Sequence, residues 1–210
     1  MTDSLVVSPT RSTQTYPIVE TFHSLQGEGA WMGVSAFFIR LAGCDVHCPW
    51  CDTKESWPTQ GHPQQSITEL TQIAQEANPA MVVITGGEPL MHNLFPLTAE
   101  LKQAGLRVHL ETSGAHPVTG NWDWVTFSPK RYKSPHKSIY ERVDELKVVV
   151  AEADDLEWAK TEADQVPLTA IKYLQPEWNT PHSQQLVFEY VLRHPDWRVS
   201  LQTHKLMGVR

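Results

Sequence analysis

Short apolar runs alternate along this chain with stretches in which apolar residues return every three or four positions. The runs SAFFIRLAG (35–43), AMVVIT (80–85), LRVHLE (106–111), DWVTF (123–127), ELKVVVA (145–151), LTAIKYL (168–174) and WRVSLQT (197–203) predict strands. Helices are predicted over SITELTQIAQEAN (66–78), LFPLTAELKQAG (94–105), the acidic DDLEWAKTEA (154–163) and HSQQLVFEYVLRH (182–194). Ser66 and Glu69 have capping-box spacing, in which each side chain takes a free backbone N–H at the helix start. Gly105 is placed to end the second helix. Residues 1–15, rich in Ser and Thr and without periodicity, predict a mobile tail. Residues 16–210 predict a single domain, with no repeat and no linker.

Strands alternating with helices build parallel sheets through right-handed crossovers. At 210 residues the chain is short for a closed eight-fold barrel. The expected fold is α/β, an open or partial barrel, with a doubly wound sheet as the alternative. Polar motifs bearing Gly or Pro follow the predicted strands: GCDVHCPWCDT (43–53), TGGEP (85–89), ETSG (111–114), SPK (128–130) and LQP (174–176). In parallel α/β folds the C-terminal strand ends share one edge, where ligands bind. Motifs far apart in sequence would therefore meet at one site.

Composition narrows the class. Hydrophobic residues at 40% and charged residues at 20% suit an ordinary globular domain. A formal net charge of −7 offers no general attraction to nucleic acid. No stretch approaches the roughly 18 apolar residues that cross a membrane. The start, MTDSLVVSPTRSTQT, lacks the basic residues and apolar run of a secretory signal. Three crowded cysteines argue against a disulfide framework, and a reducing cytoplasm is the expected location.

All three cysteines lie in GCDVHCPWCDT, spaced C-x3-C-x2-C. A structural zinc needs four protein ligands, so Cys44, Cys48 and Cys51 would have to recruit another, such as His47. A catalytic zinc with an open position is also compatible. Three unliganded core thiols fit poorly in a loop of Gly, Pro and Trp. Ligand preference favours an iron–sulfur cluster. Three thiolates would hold three irons of a four-iron cube and leave the fourth open to a small molecule. That design suits radical chemistry, in which the cofactor supplies the difficult step and the protein supplies orientation.

The C-x3-C-x2-C motif after one strand, with Gly86-Gly87-Glu88-Pro89 after the next, resembles the radical S-adenosylmethionine (SAM) superfamily. The longer SLQGEGAWMGVSAFFIRLAGCDVHCPWCDT (24–53) is similar to the 7-carboxy-7-deazaguanine synthase family, as are TGGEP, ETSG, SPK, YLQP and the terminal LQTHKLMGVR. The similarity runs from about residue 16 to the end. It implies a partial (β/α)6-type radical SAM barrel with modified, shortened helices. It also implies a 4Fe-4S cluster, SAM bound at the open iron, and Mg2+. The implied activity is that of a radical carbon–nitrogen lyase. It converts 6-carboxy-5,6,7,8-tetrahydropterin to 7-carboxy-7-deazaguanine with loss of ammonia, on the route to queuosine and related 7-deazapurines. A homodimer and an external electron donor of the flavodoxin or ferredoxin type belong to the same implication, with no nucleic-acid or membrane partner.

Residue roles follow from the resemblance. Cys44, Cys48 and Cys51 would hold the cluster, and Thr53 would give its hydroxyl to Mg2+, a hard ion that takes oxygen ligands, with Asp52 behind it. SAM would meet Gly87, Glu88 and Ser113, then Ser128, Pro129 and Lys130, and finally Leu174, Gln175 and Pro176. Substrate would meet Leu25, Gln26, Gly27 and Glu28, with Arg40, Thr85, Glu111, His204 and the terminal carboxylate of Arg210. A guanidinium fork matches a substrate carboxylate, although Arg40 also reads as half of a surface ion pair. Gln26 and Glu28 suit the pyrimidine edge of a pterin, yet alone they read as a polar turn. Glu111 can accept from pterin N–H groups or be a solvated strand end. His204 reads as a pterin contact or a satisfied polar residue, and Arg131, Lys133 and Lys137 as solvated loop charges. The rival functions are an activase for a glycyl-radical enzyme and a zinc-binding module without catalysis.

Overall fold

The computed structural model describes residues 14–210. The predicted tail lies outside those residues except for Gln14 and Thr15, and Thr15 opens the first strand. In chain order the strands are β1 (Thr15–Leu25), β2 (Ser35–Leu41), β3 (Gln64–Ser66), β4 (Met81–Gly86), β5 (Val108–Thr112), β6 (Trp124–Phe127), β7 (Glu145–Val150), β8 (Ile171–Pro176) and β9 (Trp197–Val199). The helices are α1 (Ile67–Ala77), α2 (Phe95–Gln103), α3 (Ala153–Ala163), α4 (Ser183–Arg193) and α5 (Thr203–Met207). Among the described residues no helix is long and apolar enough to cross a membrane.

The strands form one sheet in the order β3-β1-β2-β4-β5-β6-β7-β8-β9. From β2 through β4 to β9 every neighbouring pair is parallel. The sheet is not closed, as a partial barrel requires. The stretches after β5 and β6, where no helix was predicted, carry no α-helix, only a 3₁₀ turn at Tyr140–Arg142.

One edge departs from the parallel pattern. Strand β1 lies antiparallel on β2, and β3 lies antiparallel on β1. The residues of β1, TYPIVETFHSL, keep no clean alternation, because the register shifts between Ile18 and Glu20. A half-buried edge strand with an irregularity hides from a period-two search. At the other edge, the run at 197–203 ends its strand at Val199 and then turns into α5. The run at 168–174 pairs only from Ile171, and Leu168 is fully exposed.

The first helix starts as its capping box predicts. The Ser66 hydroxyl accepts the Glu69 N–H at 3.2 Å, and the Glu69 carboxylate accepts the Ser66 N–H at 2.8 Å.

Alternate residues of each parallel strand point to opposite faces. Phe37, Ile39 and Leu41 of β2, Val82 and Ile84 of β4, and Leu146, Val148 and Val150 of β7 meet Leu70, Leu97, Leu101 and Val187 of the helices in one buried core. Each large aliphatic side chain buried this way stabilises the fold by about 1.5–3 kcal/mol. The opposite face begins with an apolar floor. Ala36, Met81 and Val83 pack there against Trp31, Val34 and Phe38. Trp31 meets His109 and Trp124 edge to face, with ring centroids 5.1 and 5.5 Å away. Burial, helped by Arg107, pushes His109 down to about 4, so the floor imidazole is neutral at pH 7.

Candidate active site

Above that floor, the C-terminal ends of the parallel strands surround a cavity of about 490 Å³. One end is built by the cysteine loop that leaves β2. The Gly43 and Cys44 N–H groups donate to the Ser56 and Trp57 carbonyls at 2.7 and 3.0 Å, so the loop closes on its own base. Cys44, Cys48 and Cys51 all line the cavity, and all are free thiols. His47 takes a left-handed backbone and its ring packs on Trp57, with centroids 4.7 Å apart, away from the cavity. Among the described residues no three His, Cys, Asp or Glu side chains are arranged to hold a single metal ion. Burial pushes the Cys48 thiol up to about 11 against the pull of Lys130, so a bound metal must displace that proton.

The Gly-Gly-Glu-Pro turn after β4 is laced to this loop. Gly87 N–H donates to Leu41 O at 3.0 Å and Glu88 N–H to Gly43 O at 2.8 Å. Any side chain at Gly87 would collide with the Gly43 carbonyl and the Cys44 Cβ. Further round the same edge, Ser113, Ser128, Lys130, Gln175 and Pro176 line the cavity. Lys130 Nζ donates to the Ser128 carbonyl and hydroxyl at 2.5 and 2.6 Å and lies 5.5 Å from the Trp50 ring centroid.

Three residues expected to meet SAM, Glu88, Pro129 and Leu174, turn no side chain into the cavity, which leaves their backbone groups as the means of contact. The Glu88 carboxylate accepts from the Leu90 N–H, the Thr112 hydroxyl and the Ser113 N–H at 2.9, 2.5 and 2.8 Å, and from the Ser113 hydroxyl. It ties the turn to the end of β5 and is buried off the cavity. Leu174 alternates with Gln175 on β8, so its side chain falls in the outer core. Pro129, between the two cavity residues Ser128 and Lys130, does not line the cavity.

The other end of the cavity gathers side chains from distant elements. Leu25 ends β1 and Gln26, Gly27 and Glu28 follow it, while Arg40, Thr85 and Glu111 come from the ends of β2, β4 and β5. Arg40 Nε donates to Glu20 at 2.9 Å, so its ion pair exists while the residue also lines the cavity. Glu20 takes the Arg210 guanidinium as well, at 2.6 Å, and the Ser24 hydroxyl donates to the terminal carboxylate of Arg210. Thr53 is buried on the cavity wall, its hydroxyl donating to Asp52 at 3.3 Å, and Asp52 pairs with Lys205 at 2.9 Å. His204 belongs to α5, not to a strand end. The Thr203 N–H and hydroxyl both donate to the Gly27 carbonyl at 2.9 Å, which brings the His204 ring so close that a side chain at Gly27 would collide with it. Of the loop lysines, Lys133 is not simply solvated, since it pairs with Asp45 of the cysteine loop.

Lys147 and Glu145 are the functional candidates that sequence reading missed. Lys147 Nζ donates to Glu28 at 2.5 Å and to Glu111 at 3.0 Å, with its side chain only 4% exposed. Burial acts to raise the Glu28 pKa, but Lys147 and Gln202 outweigh it and hold the carboxyl well below its usual range. Glu111 is displaced upward by burial, with Lys147 opposing and Glu28 adding to the rise. Burial pushes Glu145 up to about 7, again with Lys147 opposing. The available signal was two charges at alternate positions of an otherwise apolar strand, Glu145-Leu146-Lys147-Val148, which puts both on one face.

Known proteins share this architecture. The model of the radical SAM superfamily matches residues 38–125. The 7-carboxy-7-deazaguanine synthase of Synechocystis sp. is 60% identical over 198 residues, covering 94% of this chain and 95% of its own. That of Escherichia coli K12 is 36% identical over 225 residues, covering 92% and 99%. The crystal structure of QueE from Escherichia coli superposes with a TM-score of 0.81 at 34% identity, covering 90% of this chain and 94% of that one. The thiol loop, the laced glycine turn and the strand-edge cavity thus sit in a chain alike over nearly its full length. It belongs to the 7-carboxy-7-deazaguanine synthase family of radical SAM enzymes.

Proposed function

We propose that this enzyme converts 6-carboxy-5,6,7,8-tetrahydropterin to 7-carboxy-7-deazaguanine with loss of ammonia, as a step toward queuosine or related 7-deazapurines, and that Mg2+ is required. The observation that carries this reading is one cavity with three thiols at one end and Arg40 with the Glu28–Lys147–Glu111 cluster at the other. Membership of the radical SAM superfamily implies a 4Fe-4S cluster and SAM, and the donors present suit both. Three free thiols face one space, and the bare Gly87 beside Cys44 leaves room for a ligand against the loop.

Cys44, Cys48 and Cys51 would hold the cluster, and SAM bound beside it would supply the radical chemistry that starts the ring contraction. The chain's own residues bind and orient. Arg40 would hold the pterin carboxylate by charge-assisted hydrogen bonds. Gln26, Glu28 and Glu111 would meet the pyrimidine edge, and His204, Leu25, Gly27 and Thr85 would complete the pocket. Ser113, Ser128, Lys130, Gln175 and Pro176 would contact SAM. The Thr53 hydroxyl, with Asp52 beside it, offers the oxygen donors that Mg2+ prefers. Fixing the substrate so that C6 faces the radical converts a diffusional encounter into a positioned one. Residues 16–210 would act as one domain, within a homodimer reduced by a flavodoxin- or ferredoxin-type donor in the cytoplasm.

The test is anaerobic turnover of the reconstituted protein with SAM, reductant, Mg2+ and carboxytetrahydropterin. A deazaguanine product by mass spectrometry, lost on chelating Mg2+, is expected. No product from a protein with a full cluster would overturn the substrate assignment. Zinc in place of iron and sulfide after anaerobic purification would overturn the cofactor assignment.

A further inference from the structure

Strand β7 turns two charged side chains, Glu145 and Lys147, toward the face that carries the cavity, and binding the cluster, SAM or Mg2+ uses neither. We propose that Lys147 is a positioning residue for pterin recognition: by bridging Glu28 and Glu111 it fixes both carboxyl groups as acceptors that select the amino-pyrimidine edge of the substrate. This inference rests on the pterin reading above and deepens it.

Each carboxylate is held at two points. Glu28 accepts Lys147 on Oε2 and Gln202 on Oε1, at 2.5 and 2.9 Å. Glu111 accepts Lys147 on Oε2 and Gln26 on Oε1, at 3.0 and 3.2 Å. The Gln26 carbonyl in turn accepts the Glu28 N–H at 3.1 Å, which fixes which end of that amide faces Glu111. One ammonium thus aligns groups from the loop after β1, from β5 and from the segment after β9. A carboxylate oxygen holding one donor can still accept a second. Glu145 supports the arrangement from beneath. Its Oε2 accepts the Ala30 N–H at 3.0 Å, and its Oε1 fills the space that a side chain at Gly29 would need.

The protonation states follow from the same geometry. Without a cation between them, two buried carboxylates cannot both stay ionised, and one takes a proton and becomes a donor. A pterin presents its ring N–H and 2-amino N–H groups as donors, so a carboxyl that takes a proton gives up part of its acceptor capacity to an O–H that faces them. The charged and titratable groups bearing on Lys147 are Glu28 after β1, Glu111 on β5, Lys130 after β6, Glu145 on its own strand and His204 on α5. Once Glu145 is ionised, above about pH 7, three carboxylates against two lysines leave surplus negative charge in a buried place. An ion pair serving the fold alone needs no such surplus, since apolar packing does that work at least as well.

The fluorescent analogues 6-carboxypterin and 6-carboxylumazine read the acceptor edge, because the lumazine has an oxo group where the pterin has its amino group. Their binding is measured anaerobically on the cluster-loaded protein with SAM and Mg2+. Wild type is expected to favour the pterin by about 100-fold, the upper worth of one hydrogen bond to a charged acceptor. In Lys147→Met that preference should fall below about tenfold. In turnover the KM for the pterin should rise far more than kcat falls. A folded Lys147→Met that keeps the wild-type preference overturns the inference. Should that variant not fold, Glu111→Gln is compared with Lys147→Met/Glu111→Gln, which leaves no facing carboxylates. The double variant is expected to discriminate less than the single one, and equal discrimination overturns the inference. Wild type that binds neither analogue defeats the pterin reading itself, a result distinct from the loss of Lys147's role alone.

Discussion

The two ends of the cavity are built in opposite ways. At one end, three thiols come from a single loop spanning Cys44 to Cys51, closed by backbone hydrogen bonds to its own base. At the other, Glu28, Arg40, Glu111, Lys147 and His204 arrive from the loop after β1, three different strands and α5. The first end is a local object that the fold has only to present. The second exists only when the whole sheet has formed, and its parts hold one another in place by charge. A defect in the first should be all-or-none and confined. A defect in the second should be graded and felt by its neighbours.

The sharpest break in that comparison is Cys48→Ala. Loss of one thiolate should abolish cluster assembly and turnover, read as iron and sulfide content and visible absorbance. Binding of 6-carboxypterin to the apo protein should persist, because none of its proposed contacts comes from the thiols. Loss of both properties would mean that the two ends are not independent. Next in size is Gly87→Ala. Its methyl group meets the Gly43 carbonyl, and that backbone cannot move without losing the bond from Glu88 N–H. The cluster should still load while SAM affinity falls about 100-fold, roughly 2.7 kcal/mol. A side chain at Gly27, at the other end, would meet the His204 ring and its Cβ, so the start of α5 would have to shift as well.

Arg40→Met probes the dispersed end. A lost charge-assisted bond to substrate is worth about 1.5–3 kcal/mol, so the KM for the carboxytetrahydropterin should rise about 10- to 100-fold, as the same free energy converted. Turnover at saturation should change much less. An analogue lacking the carboxylate should bind both proteins equally. If it binds the variant more weakly, Arg40 acts through Glu20 and the β1–β2 pair instead of through the substrate.

The same contrast explains what could be read from the sequence. The parallel strands and α1 to α4 were legible because buried runs and 3.6-residue periods are local signals. So were the thiols and the glycine turn, each complete within a few residues. Strand β1 was not, since Pro17, Glu20 and His23 break its pattern and a register shift follows Ile18. The strand predicted over 197–203 stops at Val199, and the short α5 after it was not predicted. Glu88 matched a motif, but only the placed Thr112 and Ser113 reveal where its carboxylate is engaged. Lys147 lies 119 residues from Glu28 and 36 from Glu111, so its chemistry had no local expression beyond a charge in an apolar run. Surface charges misled in the same way, with Lys133 reaching back to Asp45.

The smallest effect tests the electrostatic strain that only the dispersed end carries. Glu145 releases its proton near 4.5 in the unfolded chain, but its burial beneath Lys147 delays that release to about 7 in the folded one. Between those values the folded state holds more protons. Its stability therefore declines as pH rises through that window, and the full penalty stands above pH 7. Glu145→Gln removes the ionisation and can still accept the Ala30 N–H. At pH 8 the variant should be more stable by about 1–3 kcal/mol, a rise of a few degrees in melting temperature. Below pH 4 the two proteins should melt together. A variant less stable at both values would mean that the bond to Ala30, not the surplus charge around Lys147, governs this corner of the cavity.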